Sequence, residues 1–136
     1  MTELASRTMA QEPEAWLEHD LRQRKYDVHH DTQSIVLIFC DARWPDPMVT
    51  REPGWPRLAD SAVPLMDAII AKYYRPGGMI LRAMAAKLLP GGLIRPHTDA
   101  IESFAQSHRV HIPLTSNNGA LHGRWPALPH DAGPRL

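Results

Sequence analysis

The chain is poor in several things at once. Its 136 residues include one cysteine, Cys40, which excludes an intrachain disulfide and fits a reducing compartment. Neither sign of charge is in excess, since 15 Lys+Arg balance 15 Asp+Glu. Nucleic-acid and anionic-membrane binding both rely on a basic surface, so neither has compositional support. No apolar run reaches membrane-spanning length, and Met1 to Glu14 lacks the apolar core of a signal peptide. The expectation is a soluble, cytoplasmic chain with no nucleic-acid or membrane partner, built as one domain with a single modest core. No internal repeat is visible, and the sequence sets no oligomeric state.

What is present is a chain punctuated by proline and glycine. Residues 1–13 read as a flexible tail. From Glu14 to Tyr26, Trp16, Leu17 and Leu21 recur at roughly helical spacing among charges, which predicts one short amphipathic helix. Tyr26 to Thr32 is polar. Its His29, His30 and Asp31 read as a solvated turn rather than a metal site, because no matching ligand cluster is spaced for them. Ser34 to Phe39 is apolar and rich in β-branched residues, so it reads as a strand buried on both faces.

Asp41 to Pro56 carries four prolines and two tryptophans and reads as a long loop over the core, with Trp44 and Trp55 capping that core or walling a cleft. Leu58 to Tyr74 has apolar residues at near-helical spacing and should be the main helix, with Pro64 tolerable only in an early turn. Pro76-Gly77-Gly78 ends it. Met79 to Leu89 alternates loosely and reads as a strand. Within it Arg82 has two readings, a surface charge or a pocket residue reaching toward a carboxylate.

The rest of the chain serves Leu89-Pro90-Gly91-Gly92-Leu93-Ile94-Arg95-Pro96-His97-Thr98-Asp99 and the following His108-Arg109-Val110-His111-Ile112-Pro113-Leu114. These stretches read as a tight turn, a short strand carrying a His-x-Asp pair, a polar loop from Ala100 to Ser107 placed to close over the site, and a strand carrying an Arg-x-His pair. A histidine and an aspartate two residues apart can place one imidazole nitrogen and one carboxylate oxygen on the same cation. That is two corners of a 2-His-1-carboxylate facial triad, the arrangement that holds Fe(II) and leaves a face open for substrate and oxygen. Arg109 and His111 fall on one face of a strand because strand side chains alternate.

Together, Thr32-Gln33-Ser34-Ile35-Val36-Leu37, Arg82-Ala83-Met84, Leu89-Pro90-Gly91-Gly92, Pro96-His97-x-Asp99 and His108 to Leu114 carry a family resemblance. From about Thr32 to Asn118 the chain resembles the bacterial branch of the aspartyl/asparaginyl β-hydroxylase family, whose members are Fe(II)- and 2-oxoglutarate-dependent dioxygenases. The resemblance implies His97 and Asp99 as iron ligands and Arg109 with His111, joined in one reading by Arg82, lining the 2-oxoglutarate pocket. Guanidinium and imidazole donors suit a dicarboxylate on physical grounds as well. The reaction implied is hydroxylation of an unactivated carbon, coupled to oxidative decarboxylation of 2-oxoglutarate. The substrate would be an aspartyl or asparaginyl side chain of a peptide, or a small molecule.

The implied fold is mainly β with N-terminal and packing helices, spanning residues 14–118. It would be an incomplete double-stranded β-helix, a cupin-like jelly roll. The family pattern needs a second histidine from a later strand and a late arginine, and the only histidines beyond His111 are His122 and His130, among Pro126, Pro129 and Pro134. Residues 119–136 therefore read as an irregular tail. Two protein ligands alone predict weak metal binding, and the alternatives are a truncated, inactive fragment or a non-catalytic cupin-like binding module. Read one base later, the codons of His122 to Pro126 permit Met-Val-Asp-Gly. Those of Leu128 to Gly133 permit an aromatic, His, Met, Met or Thr, Pro and Gly, which resembles the family's turn before its distal histidine. The expectation is a reading-frame slip near Gly119 to Leu121, which the nucleotide sequence through and beyond the stop codon tests.

Overall fold

The computed structural model describes residues 2–41, 46–95, 97 and 107–116. Its centre is β1, Thr32–Cys40. The apolar, β-branched run that predicts this strand also explains its position, because Ile35, Val36, Leu37 and Ile38 are all buried. Two strands flank it, β2 (Val49–Arg51) and β3 (Ala83–Leu88), giving a sheet of order β2-β1-β3. Both pairings are antiparallel. In the longer one Thr32 faces Leu88 and Val36 faces Met84, and a bulge between Val36 and Ile38 shifts the register before Ile38 meets Ala83.

Helices cover this sheet. The longest, α3 (Trp55–Tyr73), begins three residues before the expected Leu58 and places Pro56 in its first turn, where a missing N–H costs nothing. Pro64 consequently falls inside the helix rather than in an early turn. Its ring removes the N–H that would reach Asp60 O, but Pro64 and Asp60 are both exposed, so water can serve that carbonyl. The earlier start follows from Gly54, whose N–H donates to Val36 O at 2.9 Å and whose carbonyl accepts from Leu58 N–H at 3.1 Å. A Cβ on Gly54 would lie 2.5 Å from Val36 O, so only glycine lets the loop before α3 approach β1 this closely.

The expected tail is helical instead. Residues Thr2–Met9 form α1, which packs on α3 and contributes Leu4 to the core. Arg7 Nη2 donates to Arg57 O at 3.1 Å, tying the two helices by their polar rims as well. The single amphipathic helix expected over Glu14 to Tyr26 is broken in two. A 3-10 turn at Pro13–Trp16 buries Ala15 and Trp16, and α2 (Leu21–Lys25) has no buried residue. Gln23 of α2 reaches Ser34 Oγ at 3.3 Å, so this short helix is held by polar contact with β1 rather than by an apolar stripe.

The core gathers Leu4, Ala15, Trp16, Ile35, Leu37, Ile38, Leu58 and Ala62, with Trp55, Leu65, Ile80 and Leu114 packed on its rim. Trp55 thus caps the core, while Trp44 lies outside the described residues. Helix accounts for more of the described chain than strand. The architecture is therefore mixed, a small three-stranded antiparallel sheet with a few helices, where a mainly β chain is expected from sequence. The short strand expected to carry His97, and the strand expected over 108–114, are not formed among the described residues. Pro113 cannot donate to a ladder, and β3 stands at the edge of the described sheet, where 108–116 does not pair with it.

Candidate functional site

The antiparallel pairing of β1 with β3 decides what meets at one end of the sheet. Because Thr32 faces Leu88, the residues just before β1 lie against those just after β3. Leu89 N–H donates to Asp31 O at 2.9 Å, and Gly92 N–H donates to Leu89 O at 2.9 Å to close the turn. Gly91 sits at φ +74, as the Pro-Gly-Gly signature predicts. Leu93 N–H then donates to Asp31 Oδ2 at 3.1 Å. This donation, followed by the hydrogen bond from the His30 ring, holds the Asp31 carboxyl below the usual carboxylate range. Between the two segments lies a cleft of about 480 Å³ lined by Asp27, Val28, His30, Asp31, Leu93 and Arg95.

His97 follows this turn and is exposed. Its Nδ1 lies 2.8 Å from Arg95 O. A carbonyl only accepts, so Nδ1 carries the proton and the lone pair of the neutral ring is on Nε2. Buried His29 meets His97 edge-on, with ring centroids 5.6 Å apart and planes at 89°. Asp99, the other sequence-predicted metal ligand, lies outside the described residues, as do residues 100–106 of the expected polar loop, His122, His130 and residues 117–136.

The predicted 2-oxoglutarate residues are placed in two different regions. Arg109 and His111 are exposed on the segment that runs past the C-terminal end of α3, where the His108 ring lies 5.5 Å from that of Tyr74 and Leu114 packs on the core. Arg82 donates from Nη2 to Cys40 O at 3.1 Å, with its guanidinium 5.4 Å from the Phe39 ring centre. That is the Cys40 end of β1, whereas His97 stands at the Thr32 end, about 25 Å away along the strand. Arg82 therefore ties β1 to the residues before β3 and is not brought to His97.

Among the described residues, no group of three His, Cys, Asp or Glu side chains converges closely enough to hold a metal ion. What the fold does bring together, and the sequence reading misses, is His29 with His97. No local spacing signals that pair, because it arises from the register of two strands distant in the chain. Compared with protein families, with curated proteins and with solved structures, the chain matches none.

Proposed function

We propose that the chain is built on the plan of an Fe(II)- and 2-oxoglutarate-dependent dioxygenase of the aspartyl/asparaginyl β-hydroxylase type, with the described sheet as part of a double-stranded β-helix. The observation that carries this reading is the state of His97. Its Nδ1–H is held by the Arg95 carbonyl, which is how protein scaffolds orient a metal-binding imidazole and present Nε2 to the ion. The residue types suit the group: His97 and Asp99, the latter outside the described residues, would hold Fe(II), and Arg109 with His111 would hold 2-oxoglutarate. When bound, iron and 2-oxoglutarate supply the oxidising chemistry for hydroxylating an unactivated carbon.

The chain's own residues do the positioning. The Asp31 hydrogen bonds fix the turn that precedes His97, and the Arg95 carbonyl sets the direction of its ring. Arg109 offers a planar pair of N–H donors to a carboxylate, and His111 offers a further donor. Leu93, Ile94 and Val110 are exposed apolar side chains on the same segments, a surface suited to the aliphatic part of a peptide side chain or small organic substrate.

The test is a thermal-shift titration of the full chain with Mn(II) and 2-oxoglutarate. Asp99→Ala should abolish stabilisation by metal. Arg109→Ala should spare the metal effect and weaken the added effect of 2-oxoglutarate at least about tenfold in concentration, the scale of one lost charge-assisted contact. Equal loss of stability in both variants without ligand would point to a structural role for both residues. The second reading is a non-catalytic cupin-like binding module or an inactive fragment. A cooperative melt indifferent to metal and 2-oxoglutarate would support the module, and no cooperative melt would support the fragment.

A further inference from the structure

We draw no further inference here: the strongest candidate, the cleft between residues 27–31 and 93–95, belongs to the site already described, and nothing among the described residues directs its charged groups at a common ligand.

Discussion

Asp31 holds the turn before His97 through two atoms at once, a carbonyl that accepts from Leu89 and a carboxylate that accepts from Leu93. The side-chain bond favours the charged form, so the folded carboxyl titrates lower than the unfolded one. A depressed folded pKa means the contribution is complete above the unfolded value and is lost as pH falls through the folded one. The expected outcome is that the Leu93 amide loses hydrogen-exchange protection only below about pH 4, the ordinary carboxylate region. In Asp31→Asn that amide should be less protected at neutral pH and no longer respond to acid. A wild-type Leu93 amide whose protection does not change down to pH 2 would show that the carboxylate does not hold the turn. Because Asp31 is solvent-exposed, the effect should stay local and leave the global melting temperature nearly unmoved.

At the scale of elements, the contact between β1 and the start of α3 depends on the absence of one side chain. Gly54→Ala would set a Cβ 2.5 Å from Val36 O and 2.6 Å from a methyl of Ile35, both parts of a buried strand with no room to yield. The expected cost is about 1–3 kcal/mol, read as a lower urea midpoint at unchanged slope. A variant as stable as the wild type would mean that the loop before α3 does not sit against β1. The elements themselves were legible to different degrees for physical reasons. Ser34 to Phe39 announces β1 because a strand buried on both faces must be apolar throughout. α3 is legible from its spacing, but its start is not, since Trp55 and Pro56 read equally well as loop residues until Gly54 is seen against β1. α1 is hidden because it buries little beyond Leu4 and Thr8, too few positions to make a periodic pattern among polar residues.

For the whole molecule, the core draws on both ends of the described chain, from Leu4 of α1 to Leu114 at its rim. Leu4→Ala should therefore lower the global stability by about 2–3 kcal/mol rather than fray one helix. Far-ultraviolet circular dichroism and tryptophan fluorescence, which Trp16 and Trp55 report from inside or beside the core, should shift together. Early loss of helix at unchanged fluorescence would show α1 to be an independent appendage. The candidate site divides in the same way as the fold. The turn before His97 is legible from Pro90-Gly91-Gly92, whereas His29 looks like part of a solvated loop until the pairing of Thr32 with Leu88 folds it under that turn. Arg82 is ambiguous in sequence because a long cation serves a pocket and a strand edge equally well, and its bond to Cys40 O shows where the guanidinium goes.

The position of β1 has a further consequence during synthesis. Both of its neighbours in the sheet lie later in the chain, β2 shortly after it and β3 at Ala83–Leu88. A ribosome adding about 5–20 residues per second needs roughly 2–10 s to pass from Cys40 to Leu88. For that interval the most apolar segment of the nascent chain has a backbone edge with no strand to occupy it. The vulnerable moment in the life of this protein is thus set by the order of its strands along the messenger, and slower translation between these two strands should lengthen the time for which that edge stays open to chaperones or to other copies of itself.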